Sequence, residues 1–113
     1  MAGERLFTPE LISYAQKTQA TYGVYASCCL AAAFVETTCG TNGSIFPHTN
    51  NFFNIKKGSW KGAVYRGYRV YSTRLESFLD FGRLLTSPAY ARLTAGSRNV
   101  FEYIDRYAER YAP

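Results

Sequence analysis

The chain has 113 residues, 47% of them hydrophobic and 17% aromatic, and it carries a net charge of +5 with a pI near 9.2. That length suits one domain around one core; without repeats, low-complexity tracts or a ~20-residue apolar run, the sequence is neither a solenoid, a disordered linker nor a membrane span. The positive balance favours a polyanionic partner, but the basic residues are spread along the chain rather than blocked, which argues against nucleic acid.

Residues 1–7 lack the apolar core of a signal peptide and are expected to form a flexible N-terminal segment. Thr8-Pro9-Glu10 opens the first helix, with Thr as N-cap, Pro at the first helical position and an acid in the first turn. Leu11, Ile12, Ala15, Gln19 and Tyr22 follow at helical spacing, and Gly23 stops the element. The next run, Cys28-Cys29-Leu30-Ala31-Ala32-Ala33-Phe34-Val35-Glu36, predicts a buried helix capped by Ser27 and ending near Thr38, with Gly40 just beyond. The three cysteines, Cys28, Cys29 and Cys39, are an odd count with an adjacent pair. They are expected to be reduced core residues, with no disulfide framework and no zinc spacing.

Glu36 is the odd residue of this run. The C-terminal end of a helix carries partial negative charge, and apolar neighbours add a desolvation cost, so both effects raise the pKa of a carboxyl placed there. A raised carboxyl is a usable general acid, whereas a Glu whose head escapes to solvent is an ordinary helix end. From Thr41 to Asn51 the Gly, Asn, Ser and Pro content predicts a loop, placed to line a cleft beside Glu36.

Gly58, Gly62 and Gly67 then punctuate a stretch containing Trp60, Val64, Tyr65, Tyr68, Val70 and Tyr71, which predicts a short irregular β-hairpin. Thr73-x-x-Glu76 is a capping box for a further helix with Phe78, Phe81, Leu84 and Leu85 on its apolar face, so Glu76 has a structural use. Ser87-Pro88 opens a short helix through Leu93. A last helix carries the stripe Val100, Phe101, Ile104, Tyr107, Ala108 and Tyr111. The fold class is therefore α+β, mainly α, as a single domain over residues 1–113.

The run from Leu30 to Gly40, then Asn50-Asn51-Phe52-Phe53-Asn54-Ile55-Lys56, Trp60-Lys61-Gly62, Tyr68-Arg69-Val70-Tyr71, Glu76-Ser77-Phe78, Leu84 to Tyr90 and Tyr111-Ala112-Pro113, taken in order, resembles the glucosaminidase domain of glycoside hydrolase family 73. The resemblance implies a lysozyme-like helical domain with a small β-hairpin lobe beside a substrate groove. It also implies hydrolysis of the β-1,4 bond after N-acetylglucosamine in peptidoglycan, with Glu36 as the catalytic acid. Muramidases and lytic transglycosylases share this general architecture, and a wall-binding module with little activity is the competing class.

The sequence departs from the family pattern at several places. Ala32 stands where Gln is usual, Thr37-Thr38-Cys39 replaces Ser-Gly-Trp, and Asn54 stands where Gly is common. Many members carry a second Glu in the hairpin lobe, yet nothing between Glu36 and Glu76 is acidic here. A two-carboxylate mechanism needs an acid on each side of the bond, which leaves two accounts: the 2-acetamido group of the substrate acts as nucleophile, or the protein binds glycan and hydrolyses it poorly. In the first, the resemblance implies that Tyr111, which matches the Tyr of the family's Tyr-Ala-Thr/Pro motif, positions the acetamido group; the alternative for Tyr111 is an ordinary helix-face aromatic.

Asn51, Phe52, Trp60, Tyr65, Tyr68 and Tyr107 are the candidate substrate-binding residues. For Asn51 and Phe52 the competing uses are a loop-closing hydrogen bond and a core ring, and the aromatics have the alternative of plain packing. His48, the only histidine, has no Cys or Asp cluster around it, so no metal and no cofactor are expected. The expected partners are peptidoglycan glycan strands and anionic wall polymers, without membrane insertion and with a monomeric chain. The expected location is extracellular or in the cell wall, reached by export or by release as a phage lysin.

Overall fold

The computed structural model of the protein describes residues 6–88 and 90. Helix α1 spans Pro9–Tyr22, α2 Ala26–Thr37, the one-turn α3 Phe46–Thr49, and α4 Arg74–Leu85; strands β1, Val64–Tyr65, and β2, Tyr68–Arg69, lie between α3 and α4. Ser87-Pro88 falls at the edge of the described residues, and Leu93, Tyr107, Tyr111 and the expected last helix lie outside them.

The start of α1 is as its sequence predicts: the Thr8 hydroxyl accepts from the Leu11 amide at 3.2 Å, Pro9 opens the helix, and Gly23 closes it at φ 75°. Helix α2 begins two residues earlier than expected. Its cap is Tyr25, with no side-chain bond, and Ser27 lies inside the first turn. The orphan Ala26 amide is satisfied instead by the Gln19 side chain reaching from α1 at 2.8 Å, a tertiary substitute for a local cap. In α4 the Thr73 hydroxyl accepts from the Glu76 amide (3.3 Å) and donates to the Glu76 carboxylate (3.2 Å), so Glu76 is used at the helix start.

Helix α1 packs on both α2 and α4. Gly82 is what lets α1 and α4 approach: a Cβ there would sit 2.6 Å from Thr18 Cγ2 and 2.9 Å from the Tyr22 ring. Behind them lies an aromatic core. Phe53 stacks on Phe81 with centroids 4.1 Å apart and meets Phe78 edge-on at 4.9 Å, while Phe52 lies between Phe46 and Phe78 at 4.5 and 5.2 Å. Each buried ring contributes roughly 2–3 kcal/mol of transfer free energy. Cys28, Cys29 and Cys39 are free and buried, as expected, and burial pushes the Cys28 thiol up to about 12.

The loop from Thr41 to Asn51 contains one element that its composition hid, the turn of helix α3, closed by Asn50 at φ 56°. The hairpin pairs Val64 with Arg69 and Tyr65 with Tyr68 in antiparallel register. Its two-residue turn, Arg66-Gly67, has positive φ at both positions (51° and 85°), the geometry that matches the natural twist of the strands. Lys56 forms a bridge to Tyr68, and the Lys57 amide donates to Gly67 O at 2.8 Å, so residues 56–57 flank the hairpin as a third edge.

Candidate active site

Glu36 sits in the last turn of α2, and the chain reverses directly after it. Thr38, Cys39 and Gly40 follow at φ 49°, 54° and 81°, three successive left-handed residues that reverse the chain while the Thr38 and Cys39 amides donate back to Phe34 O and Ala33 O. The Thr37 hydroxyl donates to Phe52 O at 2.8 Å and accepts from the Gly40 amide at 3.0 Å, which fixes the reversal to the 50–56 segment. The carboxyl of Glu36 therefore emerges from a well-held backbone into a groove.

That groove, about 540 Å³, is lined by Glu36, Asn54, Ile55, Lys56, Gly58, Tyr68, Arg69, Leu84 and Tyr90. It runs between the end of α2, the hairpin and the end of α4. Among the described lining residues Glu36 is the sole carboxyl. Partial burial raises its pKa above the ordinary carboxylate value, and the Asn54 side-chain amide, which favours the charged form, offsets only part of that rise. The same amide donates to the main-chain O of Glu36 at 3.0 Å. Asn54 has φ 52°, which accounts for glycine being common at this place and for Asn, the side chain that best tolerates that conformation, replacing it.

The hairpin wall is anchored from below. Arg69, buried, donates through Nη1 to Asp80 Oδ2 (2.9 Å) and through Nε to Lys56 O (2.9 Å) and Lys57 O (3.2 Å). Asp80 also accepts from the Tyr71 hydroxyl, and Arg83 completes its coordination with contacts of 2.9 and 2.7 Å. Burial alone would raise the Asp80 pKa, but the hydrogen bonds from Tyr71, Arg83 and Arg69 prevail and hold it below the usual carboxylate range. Burial and then the Asp80 bond push the Tyr71 phenol far up, so it stays protonated and donating.

The sequence candidates separate on this framework. Glu36 and Tyr68 share the groove. Asn51 does not reach it: the residue is fully buried, its Oδ1 accepts from the amides of Phe53 and Ile55, and its Nδ2 donates to Ile55 O and Arg69 O, each between 3.0 and 3.2 Å. All of its hydrogen-bonding capacity closes the loop, so no amide is left for a sugar. Phe52 is 1% exposed and is a core ring; it edges a separate cavity of about 250 Å³ that also touches Glu10, Cys39, Phe46 and Arg74.

Trp60 is half-buried against Tyr71 (5.3 Å) under the Arg69 guanidinium (5.4 Å), with its Nε1 donating to Ala63 O. Tyr65 stacks with His48 at 4.5 Å. Neither lines the Glu36 groove, and Tyr107 and Tyr111 lie outside the described residues. Asn54, Lys56, Arg69 and Tyr90 line the groove without having been singled out. For Asn54 the usable signal was its departure from the common glycine. Among the described residues no cluster of three His, Cys, Asp or Glu could hold a metal ion, and no helix is long and apolar enough to cross a membrane.

A partly desolvated carboxyl at a helix end, facing a groove walled by a small hairpin, is the layout of a glycoside hydrolase domain of the lysozyme-like kind. The family model described as mannosyl-glycoprotein endo-beta-N-acetylglucosaminidase matches residues 12–113, and the chain belongs to this glucosaminidase family. In fold it is similar to the glycoside hydrolase domain of FlgJ from Salmonella typhimurium, with a TM-score of 0.69, 24% sequence identity, and coverage of 91% of this chain and 75% of that one. No curated protein matches the chain.

Proposed function

We propose that the protein is a peptidoglycan hydrolase that cleaves the β-1,4 bond between N-acetylglucosamine and N-acetylmuramic acid, with Glu36 as general acid. The observation that carries this reading is the carboxyl itself: held at a helix end, raised in pKa by burial and open to a groove of about 540 Å³. Membership of the glucosaminidase family supports the choice of bond.

In this mechanism Glu36 gives its proton to the glycosidic oxygen as the bond from that oxygen to the anomeric carbon breaks. The 2-acetamido oxygen of the N-acetylglucosamine attacks the same carbon from the opposite face and forms an oxazolinium ring. Water then opens the ring, losing its proton to the Glu36 carboxylate and restoring both enzyme and acetamido group. Substrate assistance is favoured by the groove chemistry, because Glu36 is the one carboxyl among its described lining residues. Tyr111 is assigned to hold the acetamido group.

The test is digestion of purified peptidoglycan with product analysis by mass spectrometry. Fragments with N-acetylglucosamine at the reducing end support the assignment. Glu36→Gln, which keeps size and hydrogen bonding but removes the titrating proton, should lower turnover by ~10²–10⁴. Reducing ends at N-acetylmuramic acid point to a muramidase, and binding without soluble fragments to a wall-binding module.

A further inference from the structure

The basic residues are spread along the chain, but the acids are not, so the net positive charge is concentrated in one stretch. Residues 37–75 contain six cations and no acid, whereas the remainder of the chain has seven cations against eight acids. The six are Lys56, Lys57, Lys61, Arg66, Arg69 and Arg74, and all but Arg74 belong to the hairpin lobe. Two of the six are already engaged: Arg69 is buried on Asp80, and Arg74 lies 3.9 Å from Glu10.

The other four, Lys56, Lys57, Lys61 and Arg66, are exposed, and among the described residues none of them makes an ion pair. They are held close together by the backbone. Lys56 bridges to Tyr68, Lys57 bonds to Gly67, and Arg66 occupies the hairpin turn and lies over the Tyr65 ring at 5.3 Å. Lys61 follows Trp60, whose amide donates to Lys57 O at 2.8 Å. Like charges at this density repel one another and cost stability, a cost that an external polyanion removes.

We propose that the hairpin lobe is a docking surface for a linear phosphodiester polymer of the cell wall, of the poly(glycerol phosphate) type. The proposal rests on the assignment of this chain as a wall-glycan hydrolase, because the cation surface is continuous with the groove: Lys56 lines it together with Glu36. A polymer attached to the glycan is thus held where the strand enters the site. A single carboxylate on the glycan would engage one or two of these cations, while a repeating phosphate chain engages all four. The ring contacts favour a wall polymer over nucleic acid. Tyr65 is covered by His48 and Arg66, and Trp60 by Tyr71 and Arg69, so these aromatics are not free platforms for bases.

The probe is soluble poly(glycerol phosphate), which has no glycosidic bond, titrated into the full chain by calorimetry at several salt concentrations. With four phosphate contacts, log K should fall against log salt with a slope of roughly −3. The triple variant Lys57→Gln/Lys61→Gln/Arg66→Gln should bind ~10–100-fold more weakly at 0.1 M salt with a slope near roughly −1. Lys17→Gln, which removes a cation of α1 outside the lobe, should retain the wild-type affinity. Equal affinity in the triple variant, an equal loss in Lys17→Gln, or tighter binding to single-stranded DNA of matched charge would overturn the proposal. Glu36→Gln separates it from the hydrolase assignment: undiminished polymer binding by a variant whose hydrolysis is unchanged sinks the catalytic role and leaves the surface standing. Loss of fragments from polymer-free peptidoglycan in Glu36→Gln, with no polymer binding by the wild type, does the reverse.

Discussion

The side-chain amide of Asn54 bonds the main-chain carbonyl of Glu36 at 3.0 Å and also tempers the rise in the carboxyl's pKa. One residue of the loop thus both ties the hairpin side of the groove to the end of α2 and tunes the acid that opens into it. Asn54→Gly removes the amide while suiting the φ of 52°. Desolvation then acts on Glu36 unopposed, and its pKa rises further. A general acid works protonated, so activity is lost as pH rises through that pKa. The alkaline limb of kcat/KM should move to higher pH in Asn54→Gly, and a shift to lower pH would show that the amide does not stabilise the carboxylate.

Asp80 predicts an acid-labile hairpin. Its pKa is depressed in the fold, so its contribution to stability is present above the unfolded value near ~3.9 and lost as pH falls through the folded one. Asp80→Asn leaves Arg69 buried without its counter-charge and should cost about 3 kcal/mol at pH 7. Urea unfolding of both proteins at pH 7 and pH 3 checks the sign. The gap between them should narrow at pH 3, and a gap of the same size at both would remove the ionic role.

These two relationships mark where the sequence stops being legible. Local signals were read correctly because their physics is local: Thr8 and Pro9 at the start of α1, the capping box at Thr73 and Glu76, and a short hairpin within the glycine-punctuated stretch of high β-propensity. The raised pKa of Glu36 was legible too, since the apolar run around it signals the desolvation that causes the rise. Asn51 was not, because an amide that closes a loop and one that binds a sugar look alike until its four partners are known. The Arg69–Asp80 pair joins the hairpin to α4 across eleven positions, and no periodicity connects those residues. Ser27 was misplaced as a cap for the same reason: Gln19 acts from another helix.

Thr38 predicts a gain in stability on mutation. It is a β-branched residue at φ 49°, a left-handed conformation costing about 1–2 kcal/mol for a non-glycine residue, at a position where the family usually has glycine. Thr38→Gly relieves that strain but loses up to about 1 kcal/mol to the greater freedom of the unfolded chain. The expected net effect is a stabilisation of about 0.5–1 kcal/mol in thermal or urea unfolding, with Thr38→Ala showing no such gain. A destabilised Thr38→Gly would mean that the reversal after α2 is held by its side chain and not merely tolerated.

Stereochemistry decides the mechanism proposed for this site. With Glu36 as the lone carboxyl of the described groove lining, a water-activating base in the hairpin lobe is lacking, and attack by the acetamido oxygen followed by water gives two inversions at the anomeric carbon. The first-formed product of a chitooligosaccharide digest should therefore be the β anomer, read directly in an NMR time course before mutarotation. Tyr111→Phe should raise the barrier by about 3 kcal/mol, lowering kcat, if the phenol's bond to the acetamido group strengthens in the transition state. A higher KM at unchanged kcat would reduce Tyr111 to a ground-state contact and leave the acetamido route intact. An α product would eliminate that route, since a single inversion requires water to attack the sugar directly, held on the face opposite Glu36.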